Sequence, residues 1–188
     1  IYNYKQLRNE LEKNNVIFKS NSDTEVIVES YKLWGLEFLN KLRGMFSFAI
    51  WDDLNKKLII ARDPFGIKPI YYTNNNNTLY FASQIKSILS IENLKFDLSD
   101  AGVVSYYLWG NIQEPFTLYK NIKSLQKGSC LVIDEKGKES IINYADIKNS
   151  ILNSEKIKFN DENEKLTYLK EIIQETVNYH QVSDVSRM

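Results

Sequence analysis

The sequence predicts an α+β chain, and three observations carry that expectation. Helical apolar spacing occupies both ends of the chain. Between them lie short runs rich in isoleucine, phenylalanine and tyrosine, joined by Asn/Asp/Gly/Pro turn clusters. A composition of 43% hydrophobic residues, with 13% aromatic, supplies enough apolar surface for a sizeable core.

Taken in order, 4–13 reads as a short amphipathic helix with Leu7 and Leu11 at i, i+4. Ser22-Asp23-Thr24-Glu25 has capping-box form, in which Ser22 would accept the Glu25 amide and Glu25 would reach back. The helix it opens runs through Val26, Ile27 and Tyr31 and stops at Gly35, and a second short helix is expected over 37–42. The run 45–51 is apolar at nearly every position, as in a strand covered on both faces. Asp52-Asp53-Leu54-Asn55 then turns the chain into a second strand over 57–61.

Arg62-Asp63-Pro64-Phe65-Gly66 reads as a tight connection, with Pro64 fixing φ and Gly66 able to supply φ > 0. Strands over 69–73 and 78–82 flank the turn Asn74-Asn75-Asn76-Asn77. Helices follow over 84–90 and from a Ser99-Asp100 cap to Trp109, ended by Gly110. Leu131-Val132-Ile133 and Ser140-Ile141-Ile142 bracket a late hairpin, and 145–160 reads as a polar linker. A last helix from Asp161 puts Leu166, Leu169, Ile173 and Val177 on one stripe, which needs a partner surface.

Composition excludes several function classes. With 24 Lys+Arg against 24 Asp+Glu and a pI near 6.8, the chain lacks the excess positive charge of a nucleic-acid or anionic-membrane binder. No apolar run approaches a membrane span, and no signal peptide is visible. One cysteine and one histidine exclude an internal disulfide framework and a zinc finger built from this chain, so no metal site is expected and the setting reads as reducing and cytoplasmic. The length suggests one domain, or one plus part of another; with an opening Ile1 and an end just past a helical pattern, the chain reads as an interior piece of a larger protein.

Catalytic signals are sparse. The seven glycines form no phosphate-binding loop. Cys130 leads into a strand and reads as a small buried hydrophobe, because a nucleophilic cysteine needs a base in reach and His180 is on another element. His180 reads as a helix-terminus or surface residue, where a cation is favoured. Asp52-Asp53 reads as turn chemistry and Arg62-Asp63 as a structural pair that orders its connection. Two readings of Asp23 stand together: as the N-cap it would accept backbone amides, but if Ser22 is the cap, Asp23 is the first helical residue and its carboxylate is free for a ligand cation.

Several motifs then follow in fixed order: Ser22-Asp23-Thr24-Glu25, Trp34-Gly35, Leu42-Arg43-Gly44-Met45-Phe46-Ser47-Phe48-Ala49-Ile50-Trp51-Asp52, Ala61-Arg62-Asp63-Pro64-Phe65-Gly66-Ile67-Lys68-Pro69-Ile70-Tyr71-Tyr72 and Phe81-Ala82-Ser83. Together they resemble the glutaminase half of glutamine-hydrolysing asparagine synthases, which are class II, N-terminal-nucleophile amidotransferases. Ile122-Lys123-Ser124-Leu125-Gln126-Lys127-Gly128 resembles that family's strand-entry motif, and Val182-Ser183-Asp184-Val185 the approach to its ATP pyrophosphatase loop.

The resemblance implies a four-layer αββα sandwich, partial here, followed by a linker and the first helix of an α/β synthetase domain. It implies a glutaminase domain over 1–135, a late hairpin strand and linker over 136–160, and the start of the synthetase domain over 161–188. In the family, an N-terminal cysteine attacks the glutamine side-chain amide with its own α-amine as base. The ammonia reaches a second domain where ATP and Mg²⁺ activate aspartate.

Ile1 has no nucleophilic atom, and the family's Asn-Gly-Glu segment would end just before it. The Ser-Gly-Gly-x-Asp-Ser loop would follow Met188, so both reaction centres, with the ATP and Mg²⁺ site, are expected outside the chain. No catalytic residue is expected within it. Asp23 matches the family's aspartate that pairs with the α-ammonium of glutamine, which favours the ligand reading over the cap. Two departures are Gln84, where the family has glutamate, and Arg187-Met188.

The resemblance thus implies an enzyme of asparagine biosynthesis with glutamine, aspartate and ATP as partners, no nucleic acid or membrane, and a possible homodimer. Alternatives are an amidotransferase for another carboxylate, such as a sugar acid or a β-lactam-type acceptor, and a non-catalytic scaffold that keeps the fold. The 188-residue chain by itself is expected to release no ammonia from glutamine. Turnover by the purified chain would show that its nucleophile has been misplaced.

Overall fold

The computed structural model describes residues 1–154 and 158–181, so Val182-Ser183-Asp184-Val185 and Arg187-Met188 lie outside the described residues. The chain forms two compact units, Ile1–Gly44 with Asp146–Met188, and Met45–Ala145.

In the first unit, α1 (Tyr4–Lys13) buries Leu7 and Leu11, one turn apart on one face as expected from their spacing. Helix α2 (Asp23–Trp34) buries Val26, Ile27 and Ser30 and ends at Gly35, whose φ of 55° suits glycine. The short helix expected over 37–42 is instead a 3₁₀ segment, Gly35–Lys41, which buries Phe38 and Leu39. It starts directly from the α2 stop, where the tighter winding is common.

The stretch expected as a linker over 145–160 contains a helix, α5 (Ile147–Ser154). Asp146 makes that helix possible: its Oδ1 accepts the Asn149 amide at 3.2 Å and its carbonyl the Ser150 amide at 3.0 Å. Helix α6 (Glu162–His180) starts where expected, with Asp161 accepting the Glu164 amide at 2.8 Å. Its Leu166, Leu169, Ile173 and Val177 stripe is exposed.

The second unit holds two antiparallel sheets. One has the order β1-β2-β6-β7, built from β1 (Ser47–Asp52), β2 (Lys57–Arg62), β6 (Ser129–Ile133) and β7 (Glu139–Asn143). The other is β4-β3-β5, from β3 (Tyr71–Asn75), β4 (Thr78–Ala82) and the short β5 (Lys123–Ser124). They meet face to face through Ile60 and Leu131 of the first and Tyr72 of the second, with Ile70 and Leu125 alongside. Helices α3 (Ile85–Leu89) and α4 (Asp100–Trp109) belong to this unit; Ser99 caps α4 and Gly110 ends it, as the sequence suggests.

Turn chemistry sets the registers. Asn76 and Asn77 both have positive φ, 50° and 62°, as a two-residue hairpin of the right twist requires. The two-sided cover expected for 45–51 is corrected: β1 exposes Ala49 and Trp51, the latter by 58%, while the opposite side is only half-buried. Its apolar content comes from aromatic residues on both faces rather than from burial. Strands buried along most of their length are β2, from Ile59 to Arg62, and β6, from Ser129 to Leu131.

Arg62 and Asp63 stitch this unit together, but through other partners rather than each other. Arg62, 6% exposed, donates to the carbonyls of Lys68 (2.9 Å), Gly66 (2.7 Å) and Leu125 (2.6 Å), and to Glu114 Oε1 at 2.5 Å. Asp63, fully buried, accepts the amides of Phe65, Ile67 and Lys68. Its own carbonyl takes the amides of Gly66 and Gly128. Tyr144 closes the set by donating to the Arg62 carbonyl at 2.6 Å; burial, with Asp63 and Cys130 adding to it, pushes its phenol above the ordinary range.

Arg62→Met would leave three carbonyls and Glu114 Oε1 without their donor, which costs on the order of 3–5 kcal/mol. The expected result is a large drop in the urea midpoint; a shift equivalent to less than about 1 kcal/mol would mean that Arg62 is not what orders the 63–69 connection.

Candidate functional site

The approach to α2 is held by a charged loop. Arg8 donates to the Ser20 carbonyl at 2.6 Å and lies 4.3 Å from the centre of the Phe18 ring. Glu25 does not complete the expected capping box. It accepts instead from the Lys19 amide (2.8 Å), the Ser20 amide (2.7 Å) and the Ser20 hydroxyl (2.6 Å). Those bonds, the Ser20 hydroxyl first, hold its carboxyl below the usual range. Ser22 still caps α2, but through the Thr24 amide at 3.1 Å rather than that of Glu25.

With Ser22 in the cap, Asp23 is the first residue of the helix. Its carboxylate stands at the positive end of the helix dipole with its side chain 45% exposed. Oδ2 lies 3.0 Å from the backbone nitrogen of Ile1.

The segment that presents that nitrogen is itself fixed. The Tyr2 amide donates to the Arg43 carbonyl at 2.8 Å. Asn3, buried, donates from Nδ2 to the Lys41 carbonyl and accepts the Arg43 amide at Oδ1, both at 2.9 Å. Gly44, at φ 145°, permits the close approach: a Cβ there would stand 3.1 Å from the Tyr2 nitrogen and 3.3 Å from the Ile1 Cα. Asn3 carried no signal in the sequence, since a single asparagine after an aromatic residue looks like any polar surface position.

The other residues singled out fall elsewhere. Asp52 accepts the Leu54 and Asn55 amides, the turn role expected of it, and Asp53 pairs with Lys56. Cys130 is fully buried in β6, and burial pushes its thiol up to about 12, so it is protonated at neutral pH and is no nucleophile. His180 is the last residue of α6; its Nδ1 lies 2.9 Å from the Thr176 carbonyl and its ring 4.8 Å from that of Tyr2. Gln84 is exposed at the head of α3. Glu114, unmarked in the sequence, is the carboxylate that Arg62 grips from 52 residues away. Among the described residues no group of three or more His, Cys, Asp or Glu could hold a metal ion.

The two-sheet architecture matches that of a solved amidotransferase. The structure of glutamine phosphoribosylpyrophosphate amidotransferase from Bacillus subtilis, complexed with ADP and GMP, superposes with a TM-score of 0.52 at 22% identity, over 77% of this chain and 27% of that one. The fold is thus that of a partial N-terminal-nucleophile amidotransferase sandwich.

Residues 1–160 match the glutamine amidotransferase domain family, and the chain belongs to it. Among curated relatives, asparagine synthetase [glutamine-hydrolyzing] 1 of Bacillus subtilis is 37% identical over 98% of this chain. Asparagine synthetase [glutamine-hydrolyzing] 2 of the same organism is 42% identical over 71%. The chain spans 28% of the length of the first and 18% of the second.

Because the Cys130 thiol titrates at about 12 in the fold against an ordinary 9.0, its burial favours folding fully below pH 9 and that contribution is lost as pH rises toward 12. Iodoacetamide at pH 8 is expected to leave the folded chain unmodified and to label it stoichiometrically in urea. Rapid labelling without denaturant would contradict the buried, protonated thiol.

Proposed function

We propose that the full-length protein is a glutamine-hydrolysing asparagine synthase, and that Asp23 in this chain receives the α-ammonium of glutamine. The supporting observation is the division of labour at the head of α2. Ser22 serves the helix amides, leaving the Asp23 carboxylate outside the cap and 45% exposed at the positive end of α2. The motif block over 44–72 and the similarity to two curated asparagine synthetases support the choice of family member.

In this reading the chain binds and orients, and the chemistry of bond cleavage belongs to a terminal cysteine beyond it. Asp23 fixes the amino-acid end of glutamine by charge and hydrogen bond, and so directs the side-chain amide toward the nucleophile. Asn3, Arg43 and Gly44 keep the adjoining backbone in place. The ammonia released is used with ATP to amidate aspartate, ATP and Mg²⁺ supplying carboxylate activation; no residue of this chain is assigned to them. Residues 1–135 form the glutaminase domain, 136–160 the late hairpin strand and linker, and 161–188 the start of the synthetase domain. The enzyme works in the cytoplasm, with a homodimer as its assembly. Among the described residues no helix is long and apolar enough to cross a membrane.

Asp23→Asn in the full-length protein keeps the shape of the side chain and removes its charge. With the carboxylate nearly half exposed, the expected rise in the KM for glutamine is about tenfold, near 1.4 kcal/mol. Synthesis from free ammonia should stay within about twofold of the parent. An equal fall in both activities would make Asp23 a structural residue and remove the assignment.

A further inference from the structure

We propose that Arg43 is a positioning residue through which helix α6 controls the geometry at Asp23. This rests on the reading that Asp23 receives the ammonium of glutamine.

Arg43 works in two directions. Its backbone brackets Ile1–Asn3, accepting the Tyr2 amide at 2.8 Å and donating to Asn3 Oδ1 at 2.9 Å. Its side chain reaches α6, where Nη1 donates to Glu175 Oε1 at 3.2 Å and the guanidinium lies 5.7 Å from the Tyr179 ring centre. Glu175 and Tyr179 are one turn apart, so a single guanidinium meets both. The neighbouring row of the helix carries Thr176 and His180, and the His180 ring packs 4.8 Å from that of Tyr2. The Tyr2 hydroxyl is buried with no hydrogen-bond partner among the described residues, so ring packing is what orients that side chain.

Two independent contacts from one end of α6 thus converge on the residues that fix the Ile1 nitrogen against Asp23. A shift of α6 moves Arg43 and Tyr2 together, and through them the distance at Oδ2. The coupling is reciprocal: whatever favours the seated helix tightens glutamine binding, and bound glutamine favours the seated helix. The Arg43–Glu175 pair is exposed, 62% and 54% at the two side chains, so its removal leaves the fold standing.

The test uses Arg43→Ala, Glu175→Gln and the double variant in the full-length protein, with Asp23→Asn as reference. Each single change should raise the KM for glutamine about threefold, with synthesis from ammonia unchanged and the double variant no worse than the stronger single. Arg43→Lys, which keeps the charge, should recover part of the loss. Hydrogen exchange at the Tyr2 and Arg43 amides should quicken about threefold in Glu175→Gln. Unchanged exchange overturns the proposal. So does faster exchange with an unmoved KM when Asp23→Asn does raise it. Faster exchange with neither variant affecting glutamine supports the α6 coupling and instead removes the ligand reading of Asp23.

Discussion

At the head of α2 two side-chain oxygens stand next to the same unpaired amides, and only one of them serves the helix. A helix start leaves its first amides without partners inside the helix, and a serine or aspartate just before it is equally suited to supply one. Here Ser22 takes the Thr24 amide and Glu25 turns back to the 19–20 backbone. Asp23 is left with a negative charge where the helix dipole favours one, outside the cap and 45% exposed. Had the register of the cap moved by one residue, the same carboxylate would be a structural cap with nothing to offer a ligand.

The second unit relies on a different economy. Arg62 and Asp63 are buried charged residues on adjacent positions, yet neither neutralises the other. Each is satisfied by backbone: Arg62 by three carbonyls and Glu114, Asp63 by three amides of the connection that follows β2. Burying charge is tolerated only when its hydrogen-bonding capacity is used, and here that capacity holds a loop and two sheets in one arrangement. The result is a two-sheet sandwich held without a disulfide.

Much of this was legible residue by residue. The hairpin at Asn76-Asn77, the stops at Gly35 and Gly110 and the caps at Ser99 and Asp161 follow from local chemistry, and local chemistry is what a sequence displays. Four features escaped for physical reasons. The winding of 35–41 as 3₁₀ depends on a small dihedral difference that leaves the apolar spacing unchanged. Helix α5 is a short polar segment that buries nothing, its one i, i+4 pair, Ile147 and Ile151, is set among polar residues, and Asp146 marks its start. The Arg62–Glu114 pair and the Asn3 anchor join residues far apart in the chain, and no spacing rule reaches across them. At the site itself, the residues alone allow Asp23 to be cap or ligand and the resemblance favours ligand; the Ser22 bond shows that Ser22, not Asp23, is the cap.

The most direct test is whether the full-length protein distinguishes glutamine from its analogue that lacks only the α-amino group, 4-carbamoylbutanoate. Binding of both by calorimetry, to the parent and to Asp23→Asn, isolates the ammonium–carboxylate term as a cycle. The account predicts that the parent favours glutamine about tenfold and that the variant binds the two alike. A preference for glutamine that survives intact in Asp23→Asn would show that the ammonium is recognised elsewhere.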